Sequence, residues 1–324
     1  MEGKYQIGID LGGTNIAVGI VDEEFRIVGK ASIPTEAEGA SPEELADRMA
    51  KVSQMALEKA GVSMEQVGTI GIGSPGSIDP YKGVVKYANN LHFFKTPLRE
   101  LLESRLHKPV FMENDANAAA YGEAMAGASK GYKNSVMITL GTGVGGGVII
   151  DGKLLTGCSF CGGELGHTGM VYDGELCTCG RKGCIEAYCS ATALIRQTKR
   201  KMEEFPESAM WKICGGDIEQ VNGKTAFDGM RAGDAPANEV VQQYISYLGY
   251  AITNYVNLLQ PEILLIGGGI CKEGETILAP LREILNRDAY CKTPEENTKL
   301  AAATLGNDAG IIGAASLYRL YQNL

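Results

Sequence analysis

Apolar residues in this chain fall into short β-like runs closed by glycine, alternating with stretches where they recur every three or four positions. Tyr5 to Asp10, carrying Ile7 and Ile9, reads as a strand that ends in Asp-Leu-Gly-Gly-Thr. Asn15 to Val21 and Phe25 to Ile33 read as further strands. Ser41 is placed to cap a helix, with Pro42 in its first turn and Glu43 and Glu44 set against the helix dipole. Leu45, Met49, Val52, Met55 and Ala56 hold helical spacing to about Ala60, where Gly61 stops it. Strands are expected over Gln66 to Gly73, Val84 to Tyr87 and Lys108 to Glu113, and an amphipathic helix from Thr96-Pro97 to about Leu106. Asn114-Asp115 then heads a helix of small residues reaching Ala126. Two strands, one ending at Leu140 and one over Val148 to Ile150, flank a glycine run. Helices are expected over Ser190 to Glu204, Thr225 to Ala232 and Ala237 to Leu259, with residues 205–224 irregular. Glu262 to Ile266 is a buried strand closing in three glycines; Leu300 to Ala303 is the last strand and Ala309 to Tyr321 the last helix. A glycine-tipped hairpin followed by strand–helix units therefore occurs twice, near residue 5 and near residue 135.

Composition narrows the classes. With 324 residues the chain is long enough for two domains, and 44% apolar with 21% charged residues describes a globular protein. A net charge of −9 argues against nucleic acid or an anionic membrane surface as the main partner. Uncharged runs are too short or too polar for a membrane span, and the N-terminus enters a strand without a signal-peptide pattern, so a cytoplasmic protein is expected. Six of nine cysteines (Cys158, Cys161, Cys177, Cys179, Cys184, Cys189) crowd one segment, which in such a chain points to metal and free thiols rather than a disulfide framework.

The glycine runs carry chemistry only in context. Gly71-x-Gly73-x-x-Gly76 and the Gly141 to Gly147 run both match the dinucleotide pattern, yet neither opens a helix, and no Walker motif is present. Glycine-tipped hairpins can still wrap a phosphate with backbone N–H groups, the alternative being ordinary hairpin turns. Asp10 beside the first of them suits a Mg²⁺ shell. Asn89-Asn90 next to Phe93-Phe94 would line a polyol pocket or form a surface loop with one buried phenylalanine. Asn114 and Asp115 suit both helix capping and catalysis, with Asp115 as a candidate general base. The Gly267-Gly268-Gly269 turn would let backbone approach a flat ligand, or would simply join strand to helix. His167, Cys177, Cys179 and Cys184 are donors suited to tetrahedral Zn²⁺, bracketed by Glu164 and Glu186.

Asp10-x-Gly-Gly-Thr14, Gly73-Ser-Pro-Gly76, Glu113-Asn-Asp-Ala-Asn117, Leu140-Gly-Thr-Gly-Val-Gly-Gly-Gly147, Glu164-x-Gly-His167 and Cys177-x-Cys-Gly-x-x-Gly-Cys184-x-Glu186 together resemble the ROK family of bacterial sugar kinases and repressors, in the superfamily of sugar kinases, actin and heat-shock chaperone ATPases. Within the family the chain is most similar to the glucokinases. The resemblance implies an α/β fold of two actin-like, ribonuclease H-like domains with a cleft between them and a zinc-binding loop in the larger one. The boundaries expected are a smaller domain over 1–113, joined by the C-terminal helix 309–324, and a larger one over 114–308. It implies ATP-dependent phosphorylation of a hexose, with Asp115 as base and closure of the domains over the sugar. Gly76, Asn90, Asn114, Asp115, Glu164, His167 and Glu186 would contact the sugar. Asp10, Gly12, Gly13, Thr14, Thr142 and Gly143 would face the ATP phosphates and Mg²⁺, and Gly268 and Gly269 the adenosine. His167 and the three cysteines would hold a structural Zn²⁺, and the protein would be a homodimer or homotetramer.

Two departures bear on sugar identity: Phe160 stands where the family often carries glycine, and Phe94 where glucokinases often carry tryptophan. Kinases for N-acetylmannosamine, N-acetylglucosamine, allose or fructose would use the same motif residues. A sugar-responsive repressor would need a DNA-binding element ahead of the first glycine loop, where nine residues precede Asp10.

Overall fold

The structure, a computed structural model, describes residues 3–293 and 296–321. In chain order the strands are β1 (Tyr5–Leu11), β2 (Asn15–Val21), β3 (Ile27–Pro34), β4 (Val67–Ser74), β5 (Ser77–Asp79), β6 (Val84–Ala88), β7 (Phe93–Thr96), β8 (Val110–Asn114), β9 (Ser135–Leu140), β10 (Val144–Ile150), β11 (Lys153–Leu154), β12 (Ile263–Gly268) and β13 (Lys299–Ala302). The helices are α1 (Pro42–Ala60), α2 (Leu98–Leu106), α3 (Asp115–Ala126), α4 (Glu186–Cys189), α5 (Ala191–Glu204), α6 (Ala209–Ile213), α7 (Thr225–Arg231), α8 (Ala235–Leu259), α9 (Glu275–Asp288) and α10 (Ala309–Ser316). The chain divides into two compact units: residues 3–136, Gly147–Gly163 and 304–321 form one, and Met137–Gly146 with Glu164–Ala303 the other. The first unit thus runs past the boundary expected at residue 113, because α3 packs against α10 in the same body.

The first unit is built on the sheet β3-β2-β1-β4-β8. β1 pairs antiparallel with β2 and parallel with β4, which pairs parallel with β8. β1, β4 and β8 therefore all deliver their C-terminal ends, carrying Asp10, Ser74 and Asn114, to one edge of the sheet, where α/β sheets place ligands. α1 has the expected Ser41 cap, and Glu44 completes a capping box with it, Ser41 accepting from Glu44 N–H and Glu44 accepting from Ser41 N–H. Its buried Leu45, Met49, Val52 and Ala56 join Ile7, Ile9, Ile16, Val18, Ile70 and Ile72 in one core. α10 approaches the sheet at backbone distance: a Cβ on Gly71 would lie 1.7 Å from the Ala314 carbonyl oxygen, and one on Gly313 the same distance from that of Ala118 in α3. A small sheet, β5-β6-β7, carries the loop that follows β4.

A further five-stranded sheet has the order β11-β10-β9-β12-β13, with β12 and β13 parallel and every residue of β12 but Gly268 buried. In the second unit α8 buries Tyr244, Leu248, Ile252 and Tyr255 along one face. Two of its tyrosines reach out of the helix: Tyr244 donates to the Cys189 carbonyl at 2.6 Å and Tyr255 to the Leu165 carbonyl at 2.7 Å. These bonds tie α4 and the Glu164 segment to the helix.

Several expectations shift. β3 begins at Ile27 because Phe25 turns the chain at φ 63°. Residues 205–224, expected irregular, contain α6 and a 3₁₀ turn at Ile218–Gln220. α8 starts earlier, capped by Asp234. The last helix ends at Ser316 and tightens to a 3₁₀ turn at Leu317–Arg319, short of Tyr321. Residues 322–324 of the expected first domain lie outside the described residues.

Candidate active site

In the first unit the β1–β2 tip, Gly12 to Thr14, is a tight reversal in which Gly12 N–H donates to the Asn15 carbonyl at 2.9 Å. It is held from below by Thr35, fully buried, whose hydroxyl donates to the Gly12 carbonyl at 2.6 Å and whose N–H donates to that of Thr14 at 2.8 Å. Thr35 escaped the sequence reading, since a lone threonine after a strand carries no signal of its remote partner. Gly13 and Thr14 are exposed, and a Cβ on Gly13 would come 3.5 Å from that of Asn90. Asn90 sits exposed in a 3₁₀ turn, so the β1–β2 tip and this amide share one surface.

Asn114 takes the capping role. Its Oδ1 accepts from the N–H groups of Ala116 (2.9 Å) and Asn117 (3.2 Å), and its Nδ2 donates to the Gly76 carbonyl at 3.1 Å. Asp115 is thereby released from capping and stands as the first helical residue, half-buried, accepting the Ala116 N–H at 2.9 Å and lying within hydrogen-bonding reach of the Asn114 side chain. Burial raises its pKa above the usual aspartate value, against the lowering effect of that backbone bond. Asp10 is pushed up to about 6, first by burial and then by the charge of Asp115, with Lys30 opposing. Two carboxylates thus share one electrostatic environment, one beside the glycine tip and one at a helix start. A Cβ on Gly310 would lie 3.1 Å from the Asp10 carboxylate, so α10 also borders it.

Behind Asn114 lies Glu113, buried, accepting from Asn114 N–H (2.8 Å), Asn117 Nδ2 (3.1 Å) and the Tyr321 hydroxyl. Burial raises its pKa too. Of the aromatic pair, Phe93 is buried and Phe94 is 71% exposed, which matches the surface-loop alternative. Phe160 has φ 60°, in the left-handed region that glycine occupies without strain.

In the second unit the β9–β10 turn closes through Gly141 N–H donating to the Gly143 carbonyl at 3.0 Å. Two groups from the start of α5 grip it: Thr192 hydroxyl on the Thr142 carbonyl (2.8 Å) and Ala191 N–H on that of Gly141 (2.8 Å). Thr142 is exposed. Gly268 ends β12 at φ 88°, and a Cβ there would lie 2.3 Å from the Leu140 carbonyl oxygen, so only glycine fits. Gly268 and the exposed Gly269 lead through a 3₁₀ turn to α9, the strand-to-helix junction expected there.

His167, Cys177, Cys179 and Cys184 converge, their ligand atoms all within 4.8 Å of one another. His167 Nδ1 lies 3.5 Å from Cys177 Sγ, and Cys179 Sγ lies 3.7 Å from Cys184 Sγ. A tetrahedral zinc bonded to sulfur at about 2.3 Å and nitrogen at about 2.0 Å sets its donors roughly 3.5–3.8 Å apart, so the four residues fit the ion. With Nδ1 turned to the thiols, Nε2 occupies the opposite side of the ring. Glu186, at the head of α4, accepts the Val144 N–H on Oε2 (3.0 Å) and the Thr178 hydroxyl on Oε1 (2.6 Å). Cys177 Sγ lies 3.4 Å from Oε1, so Glu186 joins the thiol cluster to the β9–β10 turn. Glu164 is exposed beside the His167 turn, its carbonyl accepting from His167 N–H at 3.1 Å.

The model of the ROK family matches residues 6–320. The chain belongs to the ROK family. It is 38% identical to a glucokinase of Thermotoga maritima over 314 residues, covering 97% of this chain and 96% of that protein. A crystal structure of a ROK family glucokinase from Streptomyces griseus, in complex with glucose and AMPPNP, superposes with a TM-score of 0.82 at 36% identity, covering 97% of this chain and 99% of the other. The xylose repressor of Caldicellulosiruptor bescii is 29% identical, with 96% of this chain aligned to 77% of the repressor.

Proposed function

We propose that this member of the ROK family is a sugar kinase that transfers the γ-phosphoryl group of ATP to a hexose hydroxyl, glucose to glucose 6-phosphate being the reaction. The observation that carries the reading is the pair Asp10 and Asp115: one carboxylate beside a phosphate-wrapping tip, the other at a helix start and freed from capping by Asn114. The similarity to glucokinases at nearly full length supports the same reading.

A sugar hydroxyl is a weak nucleophile, and the transferring group needs its charge neutralised. Asp115 accepts the hydroxyl proton as the new bond forms. Asn114 and Gly76 orient the sugar, with Asn90, Glu164, His167 and Glu186 as further hydroxyl partners. The β1–β2 tip, Gly12 to Thr14, with the N–H groups of Gly13 and Thr14, and the β9–β10 turn at Thr142 and Gly143 hold phosphate oxygens, and Gly268 and Gly269 lie against the adenosine. Asp10 would help hold Mg²⁺, which would supply charge neutralisation on the phosphates. His167, Cys177, Cys179 and Cys184 would hold a structural zinc through four protein donors, and its role would be to fix His167 and Glu186. Assembly as a homodimer or homotetramer, and a cytoplasmic setting where ATP is the donor, belong to the same proposal. Among the described residues no helix is long and apolar enough to cross a membrane.

The test is a coupled ADP-release assay with Mg-ATP across hexoses and N-acetylhexosamines. Turnover highest with glucose supports the reading, and a higher kcat/KM for another sugar reassigns the substrate. No ADP with any sugar, together with sequence-specific DNA binding, hands the chain to the regulator class represented by the xylose repressor.

A further inference from the structure

Two of the clustered cysteines take no part in the site above. Cys158 and Cys161 are exposed, and neither belongs to the single metal-capable group among the described residues. They frame Cys-Ser-Phe-Cys, inside a reversal that Gly162 N–H closes by donating to the Thr156 carbonyl at 2.8 Å. Gly157 at φ 72° and Phe160 at φ 60° supply the curl. Bridging two such cysteines needs Cα atoms under about 7 Å apart, a span suited to residues three apart on one turn.

The loop is clamped to the small sheet of the first unit. Lys86 Nζ donates to the Ser159 carbonyl at 3.0 Å, and the Phe160 and Tyr81 rings stand 5.7 Å apart. Cys161 Sγ lies 3.1 Å from Ser77 Oγ. Ser77 follows Gly76, whose carbonyl holds the Asn114 amide at 3.1 Å. One short path of contacts therefore runs from the Cys161 thiol to the residue preceding Asp115.

We propose that Cys158 and Cys161 are a modification site, a dithiol that low-molecular-weight disulfides oxidise to a bridge within the loop, and that the bridge shifts the Gly76–Asn114 contact and weakens sugar binding. One cysteine thiolate attacks the small disulfide, breaking its S–S bond and releasing one thiolate. The second cysteine thiolate attacks the mixed disulfide, forming the protein S–S bond and releasing the other. The two electrons lost by the cysteines reduce the small disulfide to two thiols, which take up the two protons. Bridging draws Cys161 Sγ toward Cys158 and away from Ser77. The effect on turnover rests on the sugar-kinase reading; formation of the bridge does not.

The experiment treats the full-length protein with oxidised glutathione and reads differential alkylation by fragment mass spectrometry, followed by glucose kinetics, for the wild type, Cys158→Ser, Cys161→Ser and the double variant. The expected result is a Cys158–Cys161 bridge in the wild type alone, with glucose KM raised about tenfold and restored by dithiothreitol, and no oxidant response in the double variant. Glutathione mixed disulfides without an internal bridge overturn the proposed site. A bridge with unchanged KM overturns its coupling to Asn114. An equal loss of activity in the double variant places the oxidation at other cysteines and overturns the coupling as well. A reduced protein that turns over no sugar sinks the kinase reading, while the alkylation result still decides whether the bridge forms.

Discussion

Glu186 Oε2 receives the Val144 N–H at 3.0 Å, which couples the head of α4 to the β9–β10 turn. A Cβ on Gly143, one residue earlier, would lie 2.4 Å from that same oxygen. Gly143→Ala is therefore expected to displace the Glu186 carboxylate and lower kcat/KM for glucose by about tenfold or more. Metal content should stay at the wild-type level by elemental analysis, since all four donors remain in the chain. Wild-type kinetics in this variant would remove Glu186 from the sugar site.

Asp115→Asn keeps the side-chain oxygen that accepts Ala116 N–H but cannot take a proton. Its kcat should fall ~10²–10⁴-fold while the glucose dissociation constant changes less than about threefold. Stopped-flow kinetics and calorimetric binding measure the two separately. In the wild type, burial raises the Asp115 pKa, so kcat should begin to fall at a higher pH than an ordinary aspartate would give as the medium is acidified.

Asp10, pushed up to about 6, holds its proton more tightly folded than unfolded. Its contribution to stability is therefore present at pH values below the ordinary aspartate range and lost as pH rises through about 6. Asp10→Asn should accordingly raise Tm at neutral pH, with the gain vanishing below about pH 4, while abolishing turnover. The Mg²⁺ concentration for half-maximal rate should climb as pH drops through the same interval. A Tm gain independent of pH would contradict the burial of a charge at this position.

Cys179→Ser removes one of four donors and should take zinc from about one ion per chain to near none. Tm should fall and glucose KM should rise, because His167 and Glu186 lose their common support. Full sugar affinity in metal-free protein would show that the ion does not organise these side chains.

The sequence discloses those parts whose signals are local. The glycine tips, the Ser41 cap and the His–Cys cluster all declare themselves within a few residues, and the structure has them where expected. β5 and β7 are three and four residues long, too short for alternation to register. α9 starts from Gly274, which offers no side-chain cap, and holds Pro280 inside it, so two breaker residues mask the spacing of Ile277, Leu281 and Leu285. Thr35, Thr178 and Thr192 act through hydroxyl bonds to distant or looped backbone and side chains. No pattern of neighbours marks such a threonine. Phe160 was legible as a departure, and its φ of 60° now supplies the physical reason why glycine suits that place.

α10 lies against Gly8 of β1 and Gly71 of β4 at backbone distance, and against α3. Residues about 300 positions apart must therefore meet before the first unit has a complete core, a pairing of very high contact order. On the ribosome, strands β1 to β8 emerge long before their covering helix, leaving one face of the sheet open until residue 316 is made. The second unit, built from Met137–Gly146 and Glu164–Ala303, has all its segments available earlier. Synthesis thus delivers the second unit first and leaves the N-terminal sheet as the aggregation-prone intermediate, the point at which a chaperone has most to protect.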